Sequence, residues 1–215
     1  MMNAISRDSI FKRSAFIDNQ ISRAQMTILR TVNQEDEEEV IYTTSLLDHL
    51  QAFDPKPDNL NGFRVIAYPA IDKSDYENNF STALGRLLND LSIPNMYLLT
   101  DINYDWKDFI FENEDKKSLF LSYTKGITNT VGYLFESKDI ELLLPLFYQH
   151  HPDCPSIGLM NSTGDIQLDM FMCKDGNLHV LYDEKHESAL LGAVKNAGLI
   201  SGSFDVCQNN REGRL

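Results

Sequence analysis

Apolar residues in this chain follow two different periods, and the period changes several times along its length. Between residues 9 and 30, Ile10, Ser14, Ile17, Ile21, Ala24 and Ile28 recur in alternating steps of four and three. That spacing places them on one narrow seam of a helix, with Ser9 in position to cap it. A like-charge run over residues 34–39 follows and reads as a solvated hinge between this arm and a domain. Residues 40–44 have strand composition, and Ser45 with Asp48 fits a capping box opening a short helix through residue 53, stopped at Pro55.

The next stretch is better defined. Residues 63–68 predict a buried strand. Ser74 and Glu77 form a second capping box before Phe80, Leu84, Leu87, Leu88 and Leu91, a clean helical stripe that Pro94 ends. Residues 95–100 predict another strand. A strand, helix and strand over that distance is long enough for a parallel crossover, so parallel pairing is expected here. Residues 118–124 and 130–136 read as β-branched and aromatic runs on either side of a Gly-containing segment, and predict an antiparallel hairpin. Ser137 then caps a helix through residue 150 with Ile140, Leu143, Leu144 and Phe147 as its stripe, and Pro145 is expected to kink it. Residues 166–183 predict a second hairpin, with Asp175-Gly176 as a two-residue type I′ turn. In that register Met172 faces His179, which puts Cys173 and His179 on opposite faces of the hairpin and separates them. A last helix covers residues 184–197, ended by Gly198 and Leu199 as a Schellman stop.

The fold class expected is therefore α+β: a mixed, mostly antiparallel sheet covered by helices, with an N-terminal amphipathic helical arm. The domain limits are 1–35 for the arm and acidic hinge, 36–200 for a single domain and 201–215 for a flexible tail. At 215 residues with 42% hydrophobic content the chain can fill such a core.

Charge narrows the function more than any motif. Lys and Arg number 19 against 32 Asp and Glu, a net charge of −13. Such a surface repels nucleic acid and anionic membranes and attracts basic proteins. No window approaches the roughly 18 consecutive apolar residues of a membrane span. Three cysteines, Cys154, Cys173 and Cys207, are too few for a disulfide framework, and no apolar signal segment follows the N-terminus, so a cytoplasmic location is expected.

Two constellations could carry chemistry. Asp101, Asn103, Asp105 and Glu112 occupy positions 1, 3, 5 and 12 of a calcium loop, but Trp106 stands where the sharp turn needs glycine. Asp101 and Asp105 also follow a strand, where α/β sheets often bind ligands. His150, His151, Asp153 and Cys154 gather potential zinc ligands or a nucleophile and base, although histidines at a helix end are equally suited to capping its carbonyls. The sequence contains no phosphate-binding glycine loop, nucleophile elbow or paired Cys-x-x-Cys.

The expected function is a non-catalytic acidic binding domain engaging a basic protein, as an inhibitor, an immunity-type neutraliser or an adaptor. Its partner-binding residues are Glu35, Asp36, Glu37, Glu38 and Glu39 of the hinge and Ile17 and Ile21 of the arm, with neither metal nor cofactor. One rival reading is an enzyme, using His151 and Cys154 as a hydrolase or a divalent ion at Asp101 and Asp105. Another is a homo-oligomer closed by the arm.

Overall fold

A computed structural model describes residues 2–32, 45–48, 60–148, 154–161, 163–203 and 207. Eight strands among these form one sheet: β1 (Asn3–Ser6), β2 (Gly62–Ala67), β3 (Asn95–Thr100), β4 (Val131–Glu136), β5 (Ile157–Met160), β6 (Leu168–Met172), β7 (Leu178–Tyr182) and β8 (Ile200–Gly202). Their spatial order is β1-β4-β3-β5-β6-β7-β2-β8. Six α-helices accompany them: α1 (Arg7–Arg13), α2 (Ala15–Thr31), α3 (Lys73–Asp90), α4 (Glu114–Thr124), α5 (Ile140–Leu143) and α6 (Glu187–Asn196). The α+β class is the one the sequence predicts.

The sheet has helices on both faces. On the first, α3, α5 and α6 bury Tyr76, Phe80, Leu84, Leu87, Ile140, Leu143, Leu190 and Val194 against Met96, Leu98, Met170, Leu178 and Val180. On the second, α1 and α2 bury Ile10, Phe11, Ile17 and Ile21 against Tyr97, Leu99 and Met160. Strand β3 therefore sends alternate residues into two different cores, as the period-2 pleat requires. Gly132 in β4 lets α1 come close: a Cβ there would lie 2.4 Å from Leu99 Cδ2 and 2.7 Å from Ile10 Cδ1.

The N-terminal segment is part of this layered body. Strand β1 pairs with β4 at one sheet edge, from Asn3 opposite Leu134 to Ser6 opposite Val131. The expected single helix is two helices, because Ser14 is extended (φ −134°, ψ 97°), ends α1 and caps α2 by accepting from the Ile17 amide. Ser6, not Ser9, caps α1. Ile17 and Ile21 are fully buried, so both side chains face the chain's own sheet.

Other elements differ from the expected ones for identifiable reasons. All seven strand pairings are antiparallel. Strands β2 and β3 point the same way, but β7, β6 and β5 lie between them, so the expected parallel pairing does not form. Residues 118–124 belong to helix α4 and not to a hairpin. Asn113 caps that helix by accepting from the Lys116 amide, Glu114 and Asp115 occupy its first turn, and Lys125 closes it in the left-handed region. Within the run Ser-Leu-Phe-Leu-Ser-Tyr-Thr only Thr124 is β-branched, so nothing opposes the caps. Pro145 breaks its helix outright, leaving α5 followed by a 3₁₀ segment, Leu144–Phe147. Leu46 to Asp48 are not helical, and the rest of that expected helix, with the strand expected over residues 40–44, lies outside the described residues. At the other end the Schellman stop forms, with Leu199 N–H donating to Val194 O at 3.0 Å and Gly198 N–H to Lys195 O at 3.1 Å. Ser201 and Gly202, expected in a loose tail, pair with β2.

One buried ion pair joins these parts. Arg7 is 1% exposed. Its Nε donates to Asp48 Oδ1 at 2.9 Å and its Nη2 to Asp48 Oδ2 at 2.7 Å, while Nη1 donates to the Thr100 carbonyl at 2.9 Å. Gln25 Nε2 donates to Asp48 Oδ2 at 2.7 Å and accepts at Oε1 from the Asp48 amide. Removing one partner of such a pair strands a buried charge, whereas replacing both with apolar side chains often costs little. Arg7→Ala is therefore expected to lower unfolding free energy by about 3–5 kcal/mol. Arg7→Met with Asp48→Leu should recover most of that loss in denaturant titration, and additive losses would show that the pair is not coupled.

Candidate functional site

Glu35, Asp36, Glu37, Glu38 and Glu39 lie outside the described residues, as do His150 and His151. Cys154 is buried, and its sulfur sits in a backbone niche, accepting from the Ile110 amide at 3.3 Å.

Two of the four calcium-loop carboxyl or amide positions, Asp105 and Glu112, have their carboxylates engaged by nearby lysines. Asn103 N–H donates to Leu46 O at 2.7 Å. Asp105 Oδ1 accepts from the Lys107 amide at 3.0 Å, and its Oδ2 lies 3.1 Å from Lys107 Nζ. Glu112 pairs with Lys116. Trp106 fills the interior, fully buried against Phe109, Phe120, Tyr133 and Phe147, and donates from Nε1 to Val131 O at 2.9 Å. The loop is thus shaped around an indole and not around an ion. Asp101 sits beside the Arg7 network, where Gln25 Nε2 donates to its carbonyl at 3.0 Å, and its Oδ1 is buried without a hydrogen-bond partner among the described residues. Burial raises its carboxyl pKa above the ordinary range, against the opposing pull of Ser156 and of Arg7.

A different cluster forms at the β6–β7 turn. Cys173 N–H donates to Asn177 O at 2.9 Å, so residues 174–176 make a three-residue loop with Gly176 in the left-handed region at φ 83°. Three-residue hairpin loops end in such a left-handed residue, and Asp-Gly suits them as well as a two-residue turn. The register therefore slips by one from that expected: Phe171 faces His179 and Met172 faces Leu178. A one-residue slip exchanges the faces of a strand. Cys173 and His179, which the expected register separates, now share the second face of the sheet.

Cys207 completes the group. Its sulfur is 3.7 Å from Cys173 Sγ and 3.6 Å from His179 Nε2. Buried Asn177 donates from Nδ2 to Cys207 Sγ at 3.3 Å and lies 3.8 Å from Cys173 Sγ. Asp175 Oδ2 is 3.9 Å from Cys207 Sγ. Among the described residues this is the one set of three His, Cys, Asp or Glu donors that could hold a single ion. Burial, then the neighbouring Cys173, pushes the Cys207 thiol up to about 11. Burial lowers His179, partly offset by Asp175. At neutral pH the group therefore holds a neutral imidazole and a protonated Cys207 thiol, a poor set for nucleophilic catalysis because the thiolate is the nucleophile.

By architecture the chain is an α+β protein built on an eight-stranded antiparallel sheet with helices on both faces. No family model, curated protein or solved structure matches it.

Two outcomes follow for Asp101. Millimolar calcium should leave the melting temperature unchanged, and a calcium-dependent rise abolished by Asp101→Ala would restore the ion-loop reading. A carboxyl whose folded pKa is raised loses stabilising influence as pH rises from its unfolded value, about 3.9, through its folded value. Asp101→Asn should therefore become progressively more stable than the parent from about pH 4 to pH 7 in denaturant titrations. A difference that stays flat across that range would contradict the burial argument.

Proposed function

We propose that this chain is a non-catalytic, cytoplasmic binding domain whose acidic surface engages a basic protein, in the manner of an inhibitor or neutraliser. The observation that supports the reading is the charge of −13. Asp108, Glu114 and Asp115 are exposed along one short stretch that also exposes Ile110 and Leu119 and in which Glu112 pairs with Lys116. Carboxylates around a few apolar side chains suit a cationic protein surface better than a small anion or a phosphate backbone. Glu35, Asp36, Glu37, Glu38 and Glu39 add to the same charge in sequence. No helix among the described residues is long and apolar enough to cross a membrane. The isoleucine seam of α1 and α2 is already covered by Tyr97, Leu99 and Met160, so the reading assigns recognition to the acidic surface and leaves Ile17 and Ile21 to the core.

Affinity capture from lysate at low salt, followed by rapid-mixing kinetics with the captured protein, tests the proposal. The expected partner is basic and recovered in near-equal amount. Its association rate should fall at least tenfold between about 50 mM and 300 mM salt, with dissociation changing less. Glu114→Lys with Asp115→Lys should slow association further. A salt-independent association rate would end the electrostatic reading.

A further inference from the structure

The cluster at the β6–β7 turn has the donor set and the spacing of a transition-metal site. The geometry points to Cys173, His179 and Cys207 as ligands of a zinc-class divalent ion, which would fasten the chain at residue 207 to the hairpin.

Spacing is the first support. In tetrahedral zinc sites Zn–S is about 2.3 Å and Zn–N about 2.0–2.1 Å; two sulfurs on one ion then stand about 3.8 Å apart, and a sulfur and a nitrogen about 3.6 Å. The observed separations are 3.7 Å for Cys173 Sγ to Cys207 Sγ and 3.6 Å for Cys207 Sγ to His179 Nε2. All three donor atoms lie within 4.8 Å of one another. A disulfide, by contrast, needs its sulfurs at about 2.05 Å.

The surroundings are the second. Asn177 directs its amide N–H toward both sulfurs from a fully buried position. Such a donor behind the ligands stabilises sulfur in its anionic, ligating form and holds it in place. Phe63 packs edge-on against the His179 ring with centroids 5.9 Å apart, which fixes the plane of the imidazole. The three ligands are only partly buried, so an ion can reach them from solvent.

Chemistry selects the ion. Two thiolates and an imidazole favour zinc-class ions over calcium or magnesium, which take oxygen ligands. As the two metal–sulfur bonds form, two thiol protons leave to solvent, and the two thiolates neutralise the dication. Three protein ligands leave a fourth tetrahedral position, which a water completes.

The test uses the full-length chain, reduced and stripped with chelator, then titrated with cobalt(II) and zinc(II). One cobalt per chain is expected, with visible absorption of a tetrahedral ion and sulfur-to-cobalt charge transfer in the near ultraviolet, both displaced by zinc. Zinc at a hundredfold excess over its Kd should raise the melting temperature by about 5 °C or more. Cys207→Ser should lose the charge-transfer band and the thermal shift while keeping the parent's circular dichroism. His179→Gln should weaken binding at least tenfold, and it carries the test if the serine variant fails to fold. The assignment is overturned if the parent shows no thiolate charge transfer or if Cys207→Ser retains the parent's band and shift. Recovery of a Cys173–Cys207 disulfide in place of bound metal from freshly purified protein would overturn it too.

Discussion

The buried pairing of Arg7 with Asp48 is the interaction on which the N-terminal half of the structure depends. A guanidinium taken out of water must have its donors matched, or it costs several kcal/mol. Here Nε, Nη1 and Nη2 all find oxygens, on Asp48 and on the Thr100 backbone. Those partners belong to separate parts of the chain: Arg7 opens α1, Asp48 lies in the segment before β2, and Thr100 ends β3. Gln25 of α2 closes the set by donating to Asp48 and to the Asp101 carbonyl. Together these bonds tie α1 and α2 to the end of β3 and to the segment that carries Asp48.

That placement puts α1 and α2 over one part of the second face of the sheet. The isoleucines of α1 and α2 lie over Tyr97, Leu99 and Met160 in β3 and β5. Toward β6, β7 and β2 the same face carries Phe171, Cys173, His179 and Phe63, which are partly buried, beside Val65 and Asp169, which are fully buried. The Cys173 thiol and the His179 imidazole are only partly buried, whereas Cys154, in the first core, sits against the Ile110 backbone. Cys154 fits a structural role and the pair at the turn a chemical one.

The proposed binding of a basic protein and the proposed binding of a metal would place different demands on this scaffold. Surface carboxylates act through the summed field and need no fixed geometry. The donors at the turn need positions fixed to within fractions of an ångström, and a hairpin that is hydrogen-bonded along both strands supplies that rigidity for Cys173 and His179. The exposed acidic stretch runs from the segment after β3 into α4, while the cysteine–histidine cluster lies at the β6–β7 turn, so a change at one can leave the other intact.

Sequence alone determined the elements with strong local signals. The stripe of α3, the Schellman stop after α6, the strands β2, β3 and β4 and the acidic surface all follow from spacing and composition, because caps and periodicity act over a few residues. It misjudged α4, where the Asn113 cap outweighs a run of large side chains, and it could not foresee that three strands separate β2 from β3, since strand order depends on contacts far apart in the chain. The candidate site was hidden for a smaller reason. Asp175-Gly176 suits either of two loops, and they differ by one residue of register. The three-residue loop puts Leu168, Met170 and Met172 on the same face as Leu178, Val180 and Tyr182, and burial of that whole set in the first core decides between them. The alternation of these six residues was legible, but which face met the helices was not. Tertiary packing settled the register and so put Cys173 beside His179, and the return of the chain to the hairpin after β8 brought Cys207 to both.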